Sequence, residues 1–272
     1  MPLITMTRGS LSASREVAEK VCRELGSRTI TREEIIEHAS QYGVDETGLA
    51  GKDLMAMEPP GMWDRHAAQR RLYLTFLRAS LMDLIADGNV VYLGHMGQFV
   101  LSKVPKVFRI RVDSSIAYRV HSLMKGSKLS EVDARDYIEK IDDRRRSWAK
   151  FLYGVDYDDP QHYDMILNLE RLSFESAGEI VACAVRRPDW EQNEESLQTI
   201  QNLRLATHVQ ARLARSPRTR GMELDVDADT RTGHVKVRGM STLVGARTWK
   251  SDISTVIQGM PGVNSVDVRD LR

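Results

Sequence analysis

Short apolar runs alternate with amphipathic stretches along most of the chain. Pro2–Met6 (PLITM) is a compact apolar opening, followed by the Gly/Ser-bearing segment RGSLSAS. REVAEKVCREL then places Val17, Val21, Cys22 and Leu25 on one helical face, and Gly26 ends the helix. REEIIEHA, from about Arg32, opens a second helix with its acidic residues early. Pro59, Pro60 and Gly61 interrupt the pattern before a long helix over about Trp63–Ala86. Asn89–Leu93 (NVVYL) and Val107–Val112 (VFRIRV) are β-branched runs of the kind found in buried parallel strands. Helices are predicted over about Ile116–Met124 and Ser130–Tyr153, the second capped by Ser130. Met165–Leu169 predicts a last strand and Phe174–Val185 a closing helix. Strands spaced by helices point to a parallel α/β sheet.

From Leu197 the pattern changes. Leu197–Ala214 is helical, Met222–Val226 and Val235–Val237 read as strands around the turn-like DADTRTG, Ala246–Ile257 is helical, and NSVDVRDL alternates like a half-buried strand. The result is an αββαβ order in one small α+β unit. Charge divides at the same place. Residues 198–272 carry 12 Lys/Arg against 7 Asp/Glu, whereas the rest of the 272-residue chain is slightly acidic. The segment Arg186–Ser196 is charged, contains Pro188 and is poor in apolar residues. These features divide the chain into a domain at 1–187, a linker at 188–197 and a domain at 198–272.

Composition excludes several classes. The formal charge of +1 is not that of a dedicated nucleic-acid binder, and two cysteines, Cys22 and Cys183, cannot build a disulfide framework. No apolar run reaches the roughly 18 residues needed to span a bilayer, and MPLITMTRGS lacks the pattern of a secretory signal. The expected compartment is the cytoplasm. The seven histidines show no metal-binding spacing, so no protein-held metal is expected.

Two stretches carry candidate chemistry. Gly9-Ser10-Leu11-Ser12-Ala13-Ser14-Arg15-Glu16 lies between a predicted strand and a predicted helix, the layout in which backbone N–H groups and a helix N-terminus cradle phosphate. A plain strand–helix turn capped by Ser14 is the other reading of that loop. Ile141-Asp142-Asp143-Arg144-Arg145-Arg146 holds three consecutive arginines. Such a run is commonly a solvated helix face, yet phosphoryl transfer needs arginines that neutralise charge on the moving phosphate. Arg119 on the preceding helix can join them, and Asp142 can orient Arg145 by a charge-assisted hydrogen bond.

These residues, together with IDDRRRSWAKFLYGVDYDDPQHYDMILNLERLSFESAGEIV, resemble the cytidylate kinase-like proteins of the P-loop nucleoside monophosphate kinase branch. TITREEIIEHA, NVVYLGHMGQFVL and VFRIRVDSSIAYRV are similar to other segments of the same family. The resemblance covers about residues 1–185. It implies a three-layer P-loop kinase fold, ATP and Mg²⁺ as cofactors, and a nucleotide or other small phosphate acceptor as substrate. It further implies a cradle formed by Gly9, Ser10, Ser12, Ala13 and Ser14, with Arg15 as its cation, and lid residues Arg119, Asp142 and Arg145. The chain departs from the family at Leu11, Ala13 and Ser14, where the pattern has glycine, at Thr31 in place of Asp, and at His95 in place of Arg. Glu16 stands where a Walker sequence has a hydroxyl, as it does in this branch.

The carboxyl-terminal residues resemble a second family. Gly233, Val235, Val237 and Gly239, then Gly262, Val263, Val266 and Val268, are similar to the pattern of the BON module. That resemblance implies an anionic-lipid, small-ligand or protein partner. Three readings follow for the whole: a kinase with a degenerate loop, a nucleotide-sensing pseudokinase coupled to the BON-like module, or a lipid- or partner-binding adaptor. Homo-oligomerisation is compatible with each, and no nucleic-acid partner is expected.

Overall fold

The computed structural model describes residues 2–8, 13–47, 59, 66–239 and 248–270. The chain divides into two compact units. The first comprises Met1–Arg32, Asp53–Asp64 and Gly88–Gln192, and the second Glu33–Lys52, Arg65–Asp87 and Asn193–Arg272. The second unit therefore joins two segments from the amino-terminal half of the chain to its carboxyl-terminal part.

The first unit is built on a parallel five-stranded sheet in the order β2-β3-β1-β4-β5. Its strands are β1 (Leu3–Arg8), β2 (Arg28–Thr31), β3 (Val90–Leu93), β4 (Val107–Asp113) and β5 (Met165–Asn168). The parallel α/β sheet expected from the sequence is present. β2 was not predicted. It is an edge strand in which Ile30 alone is buried, so it leaves little apolar signal. β3 is buried at every position, as expected for a strand covered on both faces.

One face of this sheet packs on α1 (Ala13–Leu25) and α7 (Phe174–Val185). Ile4, Met6, Val91, Leu93, Phe108, Ile110 and Val112 meet Val17, Ala18, Val21, Ala177, Val181 and Val185 there. Of the other alternating set on β1, Leu3 is apolar while Thr5 and Thr7 are buried polar residues, Thr7 Oγ1 donating to the Ile110 carbonyl at 3.0 Å. On that side α4 (Gly97–Val100) makes one turn after β3. A Cβ on Gly97 would fall 2.6 Å from the Tyr92 ring and 3.1 Å from Thr5 Cβ, so only glycine lets this turn close on the strand.

The crossover from β4 to β5 is made by α5 (Ile116–Gly126) and α6 (Glu131–Tyr153). Ser115 and Ser130 cap these helices, accepting from the N–H groups of Tyr118 and Asp133. Val120, Ala134 and Ile138, flanked by Ile116 and Leu123, form the apolar seam between the two helices.

The second unit contains α2 (Arg32–Ala39), apart from its first residue, α3 (Ala67–Leu84), α8 (Glu194–Arg215) and α9 (Trp249–Ile257). Its three-stranded sheet is ordered β6-β7-β8, with β6 (Leu224–Asp229) antiparallel to β7 (His234–Gly239) and β8 (Ser265–Asp270) parallel to it. The element order from α8 onward is αββαβ. Leu205, Val209 and Leu213 of α8 and Trp249, Ile253 and Ile257 of α9 cover one sheet face with Val226, Val235 and Val237. β6 runs further than DADTRTG suggests. Asp225 and Asp227 are strand residues whose carboxylates pair with Arg238 on β7, so acidic residues typical of turns here form a cross-strand ion cluster. α8 also starts earlier than predicted, because Asn193 and Ser196 form a reciprocal cap.

Asp83 at the end of α3 ties this unit together. Its carboxylate, 11% exposed, accepts from Arg204 Nε at 2.6 Å, His208 Nε2 at 2.7 Å and the Tyr42 hydroxyl. Burial alone would raise the Asp83 pKa, but these three hydrogen bonds outweigh it and hold the carboxyl well below the usual range. Tyr42 is pushed up by burial and by its bond to Asp83.

Two outcomes are expected. Gly178 lies where α7 meets α1, and a Cβ there would fall 2.3 Å from Lys20 Cγ and 2.7 Å from Lys20 Cβ. Gly178→Ala is expected to cost about 1–3 kcal/mol in urea denaturation, because the two helices must separate. A carboxyl whose pKa falls on folding stabilises the folded state above its unfolded value of about 3.9, and that stabilisation is lost as pH falls through and below it. Asp83→Asn is therefore expected to lower stability near neutral pH by about 2–4 kcal/mol. It should also flatten the acid loss seen when denaturation is repeated from about pH 7 down to about pH 3.

Candidate functional site

β1 is the strand at which the sheet order reverses. The chain leaves it toward β2 on one side and, after β3, continues to β4 and β5 on the other. Crevices at the carboxyl ends of strands beside such a reversal are the usual ligand sites of open α/β sheets. Arg8, the last residue of β1, pairs with Val112, so β1 gives way to the next loop one residue before β4 ends at Asp113. A small pocket, open to solvent, is lined by Arg111, Asp113, Arg119, Asp142, Arg145, Arg146, Tyr157 and Asp158. Four guanidiniums and three carboxylates thus share one small volume.

Local structure explains the arrangement. Arg111 and Asp113 lie two apart on β4 and so share a sheet face, pairing at 3.1 Å. Arg111 also lies over the Tyr163 ring, 5.8 Å from its centroid. The apolar seam between α5 and α6 brings Arg119 against Asp142, which lies one turn beyond Ile138. Asp142 and Arg145 are three apart on α6, a spacing that puts their side chains together, with a separation of 3.3 Å. Asp142 therefore bonds both Arg119 and Arg145, whose side chains are 9% and 4% exposed. Burial pushes the Asp142 carboxyl up, against the pull of the two guanidiniums.

Asp158, in the loop after α6, faces two further arginines. It meets Arg111 at 2.9 Å and Arg146 Nε at 2.6 Å. Burial would raise the Asp158 carboxyl, but the bonds from Arg146 and Arg111 bring it below its ordinary value. Gln98 on α4 donates to the Tyr163 hydroxyl at 3.1 Å, and that hydroxyl donates to the Tyr157 carbonyl at 2.8 Å. This chain of bonds fixes the tyrosines behind the pocket.

The structure brings three of the sequence-derived candidates, Arg119, Asp142 and Arg145, into one cluster. Gly9, Ser10 and Ser12 lie outside the described residues, as does Leu11. Ala13 is the first residue of α1, and Ser14 is fully buried within the first helical turn rather than before it. Arg15 and Glu16 are exposed on that turn. The three consecutive arginines do not share a fate. Arg145 is buried, Arg144 is half-buried, and Arg146 is half-exposed at the pocket wall and paired with Asp143 and Asp158. Sequence reasoning left Arg146 facing solvent and passed over Arg111, Asp113, Tyr157 and Asp158. The signal for the first two was the row of charged residues at alternate positions of β4, Arg109, Arg111 and Asp113.

The model of the cytidylate kinase-like family matches residues 3–171, a span that contains every pocket residue. The chain belongs to the cytidylate kinase-like family. The family's description points to phosphotransferase chemistry. A 101-residue stretch, 37% of the chain, is 28% identical to uronate isomerase of Corynebacterium glutamicum. It covers 19% of that enzyme, so the chain spans about a fifth of the length of the curated relative it matches. An uncharacterized protein from Eubacterium ventriosum aligns at 14% identity over 68% of this chain and 97% of its own, with a TM-score of 0.49. Shikimate kinase from Bacteroides thetaiotaomicron aligns at 14% identity over 69% and 100%, with a TM-score of 0.42. Neither likeness identifies a substrate. No helix among the described residues is long and apolar enough to cross a membrane.

The donor set fits a polyphosphate, since guanidiniums match phosphate oxygens in charge and fork geometry. Among the described residues no group of three His, Cys, Asp or Glu side chains is arranged to hold a metal ion. Magnesium bound with a nucleotide needs only one or two protein carboxylates beside the phosphates, and Asp113 and Asp158 line the pocket.

Removing one member of a buried ion cluster leaves the others uncompensated. Asp142→Ala is expected to cost about 3–5 kcal/mol by chemical denaturation. Replacing all three charges together (Arg119→Met, Asp142→Leu, Arg145→Met) should recover most of that loss.

Proposed function

We propose that the chain is an ATP-dependent kinase of the nucleoside monophosphate type, acting on a nucleotide or a related small phosphate acceptor. The observation that carries this reading is the pair of buried guanidiniums, Arg119 and Arg145, held on one carboxylate at the carboxyl edge of the parallel sheet. Phosphoryl transfer asks the protein mainly to position its partners and stabilise charge, and fixed guanidiniums supply that without reorganising. Bound ATP supplies the γ-phosphoryl group. The start of α1 offers backbone N–H groups to its phosphates, with Arg15 as an added cation. Asp142 acts through the arginines, fixing their direction, and so is a positioning residue. The family match and the pocket's position beside the reversal of strand order support the assignment.

The αββαβ part of the second unit is proposed to be a BON-like module for an anionic-lipid, small-ligand or protein partner. Its element order and the spacing of Gly233, Val235, Val237 and Gly239 support that reading.

Steady-state kinetics test the kinase assignment. Stabilisation made only in the transition state appears in kcat. Arg145→Ala is expected to lower kcat by about a hundredfold or more, and Asp142→Ala by less. Arg144→Ala, away from the pocket, should leave kcat within about threefold of wild type. Absence of any nucleotide turnover by the wild-type chain across a panel of nucleoside monophosphates would remove the kinase reading in favour of nucleotide sensing.

A further inference from the structure

The four pocket arginines fall into two pairs with different counterions. The inner pair, Arg119 and Arg145, shares Asp142, which sits on a helix with its side chain 20% exposed. The outer pair, Arg111 and Arg146, shares Asp158, which sits in a loop with its side chain 37% exposed. Asp158 places one carboxylate oxygen on each outer arginine, Oδ1 at 2.9 Å from Arg111 and Oδ2 at 2.6 Å from Arg146. Two guanidiniums gripping two oxygens of one anion is the geometry in which arginines hold a phosphoryl group.

Displacing Asp158 leaves neither arginine bare. Arg111 keeps Asp113 at 3.1 Å, and Arg146 keeps Asp143 at 2.6 Å. Nor does displacement require the loop to move. The Asp158 backbone N–H is held by Asp156 Oδ1 at 2.9 Å, and the next residue, Asp159, caps the following turn at Gln161 N. Rotation about the side-chain bonds of Asp158 suffices. By contrast, Asp142 bonds two guanidiniums that are almost fully buried, so displacing it costs more.

We infer that Arg111 and Arg146 form an oxyanion site for a phosphoryl group, and that Asp158 is its built-in stand-in, occupying the site until a phosphate-bearing ligand displaces it. This deepens the kinase reading and rests on it for the identity of the ligand, but anion binding itself does not require turnover. The site adds two guanidiniums to the inner pair, and Asp158 sets how strongly an anion must bind to gain them. A ligand with two or more linked phosphates fits the two arginine pairs better than a single phosphate does, because both pairs line the same pocket.

Isothermal titration of the full chain with inorganic phosphate, pyrophosphate and ATP tests the inference, with melting temperature recorded for each variant as a check on folding. Asp158→Asn and Asp158→Ser are expected to bind pyrophosphate and ATP about tenfold more tightly than wild type, since a competing negative charge has gone. Arg111→Gln in the Asp158→Asn background should cancel the gain. Unchanged or weaker binding in both Asp158 variants, with the protein folded, would overturn the inference and make Asp158 a structural ion-pair partner only. Tighter binding without turnover would keep the anion site and remove the kinase assignment. Turnover without tighter binding would do the reverse.

Discussion

The pocket depends on one carboxylate. Asp142 lies between two guanidiniums that are almost fully buried, and its negative charge offsets part of the cost of burying theirs. The apolar seam of Val120, Ala134 and Ile138 brings α5 and α6 together, and the ion cluster uses that contact to aim two cations at one place. Desolvation makes the arrangement costly, as the upward push on the Asp142 carboxyl shows. A fold with no anion to bind gains little from so expensive a feature, because a well-packed apolar substitute is often as stable.

The second unit uses the same physics for a different purpose. Asp83 gathers Tyr42, Arg204 and His208, and so joins the end of α3 to α8 and to the turn after α2. Its carboxyl is held low because three donors outweigh burial, whereas at Asp142 burial is the stronger influence. Asp83 accepts three hydrogen bonds that favour its charged form, although it is the less exposed of the two; Asp142 lies among the charged groups that line the pocket. The first pattern is that of a structural clasp, and the second that of a site whose charges face a cavity.

Much of this architecture was legible in the sequence, and the failures have physical causes. Apolar runs marked β1, β3, β4 and β5, the edge strand β5 (MILN) included. β2 escaped notice because RTIT holds a single strongly apolar residue, Ile30. Asp227 of β6 read as part of a turn because its partner, Arg238, lies on another strand and is invisible to local pattern. At the site, Arg119, Asp142 and Arg145 were legible through a family resemblance on matching residues. Arg111 and Asp158 were not, since their meeting depends on how a strand end and a distant loop come together. The consecutive arginines 144–146 looked alike in sequence and separate only when the turn of α6 is fixed.

On the proposed reading, the inner arginine pair serves to hold phosphate. The most direct test is the melting temperature of the full chain across a panel of ATP, CTP, GTP and nucleoside monophosphates, with and without magnesium, for wild type and for an Arg119→Gln/Arg145→Gln double variant. A ligand that binds only the folded state raises its stability by mass action. At least one nucleotide should raise the wild-type melting temperature in a concentration-dependent way, and the double variant, itself folded, should lose that response. An equal response in both proteins, or none in the wild type at millimolar nucleotide, would contradict it.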